Sequence, residues 1–373
     1  MTRICYVIPS LSVGGTERQL AELVQGLAPD HDQIVVCTRG GGALAGDVRR
    51  AGVDVHILDT KTAWDPSLFW KLRKLFQKHR PDIVYSFMSG FDLTANLAAR
   101  NARVPVVVSS RRELATWMKR RHRLMQNWAN RCVDCIVANS RAVVQYAVEN
   151  EKVDPSLFRV IPNGIRAEAF VSHTDRHDLL LRHRIPFHHR IIGMVANFSH
   201  VKDHALFVKT AELLIKRRAD VHFLLVGSGP LVGGIEGLID QRGIEASFTR
   251  VAALAEMPDL YALMDVSVLC SKAEGCPNVI MESMAAGRPV VAAAVGGITE
   301  ILRDGDTGCL VHSRAPAGFA DAIEYVLDHP DESRAMAERA GRFVRTELNV
   351  ERMVESYRRL YAELLANTRR KGR

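Results

Sequence analysis

Residues 270–303, CSKAEGCPNVIMESMAAGRPVVAAAVGGITEILR, restrict what this chain can fold into more than any other stretch. They follow the apolar run VSVLC (266–270), which reads as a buried strand ending in a polar turn with Glu274, Gly275 and Pro277. A helix is expected from Asn278 to Ala286, because Gly287 suits its C-terminal stop and Pro289 bars its continuation. VVAAAV (290–295) is strand-like again, and Gly296-Gly297 leads into a second short helix. Strand, loop, helix, strand, glycine loop, helix is an α/β layout. Both loops fall at strand C-terminal ends, where such sheets hold nucleotides.

The side chains in this segment suit one kind of ligand. The first helix start offers backbone N–H groups and the positive end of a dipole, which favour a phosphate. Cys276, Pro277, Asn278 and Val279 form that start. Glu282 lies about one turn further in. A carboxylate accepts two hydrogen bonds and donates none, which fits a pair of ribose hydroxyls. Glu274, on the preceding loop, is placed to accept from sugar hydroxyls. The plain alternative is two surface glutamates, one of them steadying a helix N-terminus. The spacing of Glu274 and Glu282 within EGCPNVIMESMAAGRPVV, followed by GG, argues against it.

Glu274, Gly275, Pro277, Glu282, Met284, Ala285, Gly287, Pro289, Val290, Val291, Gly296, Gly297 and Glu300 match the signature of the family-4 retaining glycosyltransferases. Ser283 stands where that signature has Ala. The resemblance is specific here and extends more thinly over about residues 3–365. It implies the GT-B fold, α/β with two Rossmann-like doubly wound domains facing across a deep cleft. It also implies a nucleotide-diphosphate sugar donor, linked to UDP, GDP or ADP, and a glycan or lipid-linked acceptor. No metal or other cofactor is implied. Asp304-Gly305-Asp306 resembles a metal-binding DxD by letters only and reads as a turn.

Composition agrees with a two-domain α/β enzyme. At 373 residues with 47% hydrophobic content, two full cores are expected. No apolar run approaches the eighteen residues of a membrane span. CYVIPSL near the N-terminus is too short for a signal-peptide core and reads as a first strand, so a cytoplasmic location is the default. The seven cysteines are scattered, and Cys132/Cys135 lack a second pair, so packing accounts for them better than zinc. Net charge is +8. No nucleic-acid motif accompanies it. Basic residues gather at 71–80, 111–123 and 369–373. The middle run, flanked by Trp117 and Trp128 around its basic centre, suits either a solvated helix face or an anionic membrane surface at the inner face of the membrane.

In chain order, RICYVIP (3–9) is strand one, and Gly14-Gly15 opens the following helix. The resemblance gives Gly14 and Gly15, with Thr16, a place facing the sugar diphosphate. Strands follow at 33–38, 53–58, 82–87, 105–113 and 135–140, with helices over 66–79 and 92–101. Gly40-Gly41-Gly42 reads as a flexible loop. Family members carry a His shortly after the strand at 82–87. This chain reads SFMSGFD instead, which leaves Ser86, Ser89 or Asp92 for that space. Arg111 and Arg112 are placed either to reach an anionic acceptor or the diphosphate, or simply to be solvated. Domain one is expected over 1–168, a linker over 169–189 and domain two over 190–348. A C-terminal helix with a basic tail (349–373) should pack back on domain one. The linker's His173, His177, His183 and His188 fit no single helical face and suggest no metal.

In RIIGMVANFSHVKDH (190–204), the resemblance places a diphosphate-binding Arg and Lys. Here Asn197 takes the Arg position and Lys202 is kept. Lys202 and Glu274 are the candidate catalytic residues. Gly14, Gly15, Asn197, Lys202, Cys276, Pro277, Asn278, Val279 and Glu282 are the candidate donor-binding set. Two rival readings remain: a GT-B nucleotide-sugar epimerase, and a non-catalytic nucleotide-sugar-binding module.

Overall fold

In the computed structural model, all residues are described except 63–64, 88–91, 117, 253–255 and 372–373. The chain divides into two compact units, residues 1–164 with 350–373, and residues 165–349.

The first unit is built on a seven-stranded parallel sheet: β1 (Thr2–Ser10), β2 (His31–Gly40), β3 (Asp54–Ile57), β4 (Ile83–Ser86), β5 (Val106–Arg111), β6 (Cys135–Ala138) and β7 (Phe158–Val160), in the order β3-β2-β1-β4-β5-β6-β7. The strands are apolar on both faces, as a parallel sheet covered by helices requires. Ile4, Tyr6 and Ile8 of β1 enter one core, with the helices Gly15–Leu27 and Val350–Lys371. Cys5 and Val7 enter the other, with the helices Pro66–His79, Asp92–Asn101 and Arg141–Glu151. The period-2 alternation of β1 thus feeds two layers.

The last helix belongs to this first unit. Gly26 lets it approach closely, because a Cβ there would lie 2.5 Å from a Val354 methyl. The triple glycine is less loose than its composition suggests. Gly42 has φ +78, and a Cβ on it would meet the Leu11 backbone at 2.3 Å, while the Leu11 N–H donates to Gly41 at 2.9 Å.

The second unit repeats the plan with β8 (Arg190–Val195), β9 (Val221–Val226), β10 (Phe248–Val251), β11 (Val266–Leu269), β12 (Val290–Ala293) and β13 (Cys309–Val311). These are again all parallel, in the order β10-β9-β8-β11-β12-β13. Each sheet reverses its strand order once, at β1/β4 and at β8/β11. A reversal leaves a crevice at the strand C-termini.

Residues 169–189, expected as a linker, are instead part of the second unit. The helix Arg176–His183 covers one face of its sheet, with Leu179, Leu180 and Ile185 buried beside Ile191, Leu224 and Tyr261. Asp175 caps this helix by accepting from the His177 N–H at 2.7 Å, and Arg176 pairs with Asp265 at 2.9 Å. Two buried leucines in an eight-residue helix are too few to show as a period. His177 stacks on Phe187 with ring centroids 4.3 Å apart. Among the described residues no helix is long and apolar enough to cross a membrane.

Candidate functional site

The loops after β8 (196–203) and β11 (270–277) meet at the strand-order reversal of the second sheet. The Lys272 N–H donates to the Val201 carbonyl at 2.7 Å, joining them through backbone. Across this join, Lys202 Nζ lies 2.5 Å from Glu274 Oε1, and Ser271 Oγ donates to the same oxygen at 2.5 Å. The Gly297 N–H, from the glycine loop after β12, donates to the Glu274 carbonyl at 3.0 Å. Glu274 is therefore the point at which three loops converge. Its side chain is 9% exposed and that of Lys202 23%, so water screens the pair only partly.

Four residues after Glu274, the helix Asn278–Ala285 starts from Pro277, which offers no side-chain cap. Cys276, Pro277 and Asn278 are buried and Val279 is partly so. Glu282, 4% exposed, accepts from the Tyr261 hydroxyl at 2.7 Å. That fully buried Tyr, on the helix Met257–Leu263, also meets the Phe170 ring edge-on at 6.0 Å. The bond fixes the rotamer of the carboxylate. Ser283 bonds the Ser267 hydroxyl and the Val279 carbonyl, each at 2.7 Å, so its buried hydroxyl is satisfied. Gly287 ends the helix at φ +68, a conformation that suits Gly.

Asn197 is exposed at the end of β8. The backbone around it is held by the GSGP turn after β9. Gly227 (φ +145) and Gly229 (φ +151) lie against Ala196 and Phe198 with no room for a Cβ, and the Phe198 N–H donates to the Ser228 carbonyl at 2.9 Å.

In the first unit, Gly14 is the extended N-cap of the Gly15–Leu27 helix (φ −154), and Gly15 is its exposed first residue. A Cβ on Gly14 would lie 2.3 Å from the Glu17 carboxylate. Burial raises the pKa of Glu17, while Arg112 pulls it down. A cavity of about 150 Å³ is lined by Thr16, Phe87, Ser110, Arg112 and Glu113. Arg112 donates to Asn163, lies 3.5 Å from the Tyr357 hydroxyl and sits over the Phe87 ring at 5.6 Å.

Two expectations in this unit change. Arg111 does not face an acceptor or a diphosphate. It is 2% exposed and donates to Asp92 at 2.7 Å, Asn130 at 2.7 Å and Glu151 at 3.4 Å. Ser86 and Asp92 do not serve in place of the family's His either. Both are fully buried, with Ser86 donating to Asp92 at 2.8 Å. Burial pushes the Asp92 carboxyl up to about 6 against the opposing pull of Arg111. Ser89 lies outside the described residues.

Among the described residues no group of three or more His, Cys, Asp or Glu side chains is placed to hold a metal ion. Sequence reasoning passed over Tyr261, Ser271, Asp203 and Arg314. A tyrosine inside the apolar MPDLYALMD carries no mark that separates it from core.

Residues 13–169 match the family model described as Glycosyltransferase Family 4, and residues 189–329 match the model described as Glycosyl transferases group 1. A D-inositol 3-phosphate glycosyltransferase of Corynebacterium aurimucosum is 29% identical over 217 residues, 56% of this chain and 52% of the relative. An N-acetyl-alpha-D-glucosaminyl L-malate synthase of Bacillus anthracis is 32% identical over 176 residues, 47% of this chain and 46% of the relative. The chain thus spans about half the length of these curated relatives. Among solved structures, Anabaena HepE, crystallised with UDP and glucose, superposes with a TM-score of 0.88 at 20% identity, covering 97% of this chain and all of that one. WaaG, a glycosyltransferase involved in lipopolysaccharide biosynthesis, gives 0.76 at 15% identity, covering 95% of this chain and 98% of that one. With its two halves matched by the two family models and its sheets shared with these structures, the chain belongs to the family-4 glycosyltransferases of the GT-B fold.

Proposed function

We propose that the protein transfers a sugar from a nucleotide-diphosphate sugar to an acceptor hydroxyl, with retention of anomeric configuration, in the synthesis of a cell-surface glycan. The observation that carries this reading is the Lys202–Glu274 pair at the strand-order reversal of the second sheet, with the Tyr261-held Glu282 one helical turn from Pro277. In this reading the donor diphosphate takes over Lys202, and Glu274 turns to the hydroxyls of the donor sugar. Glu282 holds the ribose. Cys276, Pro277, Asn278 and Val279 offer the helix start, Asn197 an amide, and Gly14 and Gly15 further backbone N–H groups.

As the bond from the anomeric carbon to the diphosphate breaks, negative charge gathers on the leaving phosphate, where Lys202 and the helix-start amides stabilise it without a metal. The acceptor oxygen bonds to the same carbon, and its proton passes to the departing phosphate. Glu274 supports the positive charge that develops on the sugar. The cavity beside Arg112 in the first unit is the proposed acceptor side. HepE's complexes with UDP and with UDP-glucose favour a uridine donor as the first to test.

An anionic membrane surface is the proposed setting of the acceptor. On the helix Arg120–Asn130, Leu124 and Trp128 are 55% and 62% exposed one turn apart, among exposed Arg120, Arg121 and Arg123. Arg131 lies over the Trp128 ring at 5.2 Å. This is the make-up of a helix that lies in a lipid interface. Equal sedimentation with neutral and with anionic liposomes would remove this part of the proposal.

The test of the main reading is a thermal-shift screen with UDP, GDP, ADP and their sugars, since binding to the native state raises the melting temperature. Mass spectrometry of products follows. A new glycoside is expected. An isomerised donor alone would make the protein an epimerase, and binding without turnover across a broad acceptor panel would make it a binding module.

A further inference from the structure

Next to Lys202, the chain sets aside a local rule. Asp203 is the N-cap of the helix His204–Arg217, yet it has φ +52 and ψ +49 and makes no side-chain cap bond. An Asp at an N-cap ordinarily accepts from the first turn of its own helix, which stabilises that helix. The left-handed backbone is a further cost for a non-glycine residue. Asp203 accepts both losses and turns its carboxylate outward, where Oδ2 meets Arg314 at 2.5 Å and Lys272 Nζ at 3.6 Å. Backbone strain of this kind persists where the surrounding contacts require it.

Arg314, between β13 and the helix Pro316–Asp328, spends its other donors on two carbonyls. It donates to Ser271 O at 2.9 Å and to Cys270 O at 3.2 Å. One guanidinium therefore ties the loop after β8, the loop after β11 and its own loop. The two ends of this tie touch the candidate catalytic pair. Asp203 follows Lys202 in the chain, and the Ser271 hydroxyl bonds the Glu274 carboxylate.

We infer that Asp203 and Arg314 are positioning residues that fix the separation of Lys202 and Glu274 during transfer. The inference rests on the proposed roles of Lys202 and Glu274. When the diphosphate draws Lys202 away from Glu274, their direct ion pair no longer holds the two loops in register. The Asp203–Arg314 tie does not depend on that pair and remains. A fork of several donors in one plane is needed, and an ammonium cannot supply it.

The test uses the full chain and whichever of UDP-, GDP- or ADP-glucose gives the largest thermal shift. Release of nucleoside diphosphate is followed well below the melting temperature. Arg314→Met and Asp203→Asn are each expected to lower kcat about 10- to 100-fold, the scale of a misplacement near 1 Å, with donor KM nearly unchanged. Arg314→Lys is expected to recover only part of the loss. The double variant should be no slower than either single one, and Arg314→Met should add little on a Lys202→Ala background, since the tie acts through Lys202. A kcat within about twofold of the parent in Arg314→Met, while Lys202→Ala cuts turnover, would overturn the inference and leave the proposed site standing. A full, multiplicative loss on the Lys202→Ala background would also overturn it. If Lys202→Ala and Glu274→Ala both turned over at the parent rate, the site reading itself would fall, and the inference with it.

Discussion

The two sheets share one strand order but treat charge at their carboxyl edges differently. At the end of β5 in the first unit, Arg111, Asp92 and Glu151 are each no more than 2% exposed, and Arg111 pairs with both carboxylates. At the ends of β8 and β13 in the second, Lys202 and Arg314 are 23% and 38% exposed and lie within reach of solvent. The same scaffold has thus produced a closed ion cluster on one side and an open one on the other. A closed cluster has no group to give to a ligand, so its contribution is to folding. An open one can exchange partners when an anion arrives.

Removing the central cation of the closed cluster is the strongest way to test this contrast. Arg111→Met leaves Asp92 and Glu151 buried without it. Breaking a buried pair from one side costs about 3–5 kcal/mol. The melting temperature of the first unit should fall by many degrees. All four tryptophans (Trp64, Trp70, Trp117 and Trp128) lie in that unit, so their fluorescence reports its unfolding alone. An unchanged fluorescence midpoint, with turnover lost, would mean that Arg111 serves the reaction and that the two edges are not so different.

What could be read from the sequence follows the same division. The segment 270–303 was legible because its glycines, prolines and carboxylates sit at spacings that few other structures demand. The buried strands were legible because runs such as ICYVI have no polar face to offer water. The ion partners were not legible. Arg111 stands 19 residues from Asp92 and 40 from Glu151, and Arg314 stands 111 from Asp203, so pattern within a window cannot join them. An arginine after a strand looks the same in sequence whether it points outward, as Arg112 partly does, or inward, as Arg111 does. The helix Arg176–His183 was lost for another reason, because a helix of eight residues with four basic side chains resembles a solvated linker.

Acid should move the two units in opposite directions through these buried groups. His204 is 2% exposed in the second unit, stacked on Phe198 at 4.1 Å, and burial with Lys202 nearby pushes its pKa down to about 4. Burial also pushes His222 down to about 4. For both, the unfolded chain binds more protons between about pH 6.5 and 4, so their contribution is complete above 6.5 and lost as the pH falls. Asp92 has the reverse sign. Its folded pKa, about 6, exceeds the ordinary 3.8, so its contribution is complete below about 4 and lost as the pH rises through 6. Each shift corresponds to at most about 3 kcal/mol. His204→Asn should flatten the acid-side loss in circular dichroism melts, and Asp92→Asn should remove an opposite slope from the tryptophan signal. Slopes of the same sign for both variants would erase this part of the contrast.

The finest test sits beside the open cluster, at the buried Tyr261–Glu282 pair. Tyr261→Phe removes one hydroxyl from Glu282 and nothing from the packing around Phe170. A hydrogen bond to a charged group contributes about 1.5–3 kcal/mol, and part of that is recovered by relaxation. Donor KM should therefore rise about 3- to 10-fold, with kcat little changed, because an interaction equal in ground and transition states affects binding alone. The decisive step is to repeat the measurement with donors whose ribose lacks the 2′- or the 3′-hydroxyl. If Tyr261 acts by aiming Glu282 at that ribose, the penalty of Tyr261→Phe should shrink toward none with at least one deoxy donor. The same penalty on all donors would show that the hydroxyl supports the fold around the helix and not the grip on the nucleotide. Glu282 would then join Arg111 on the closed side of the comparison.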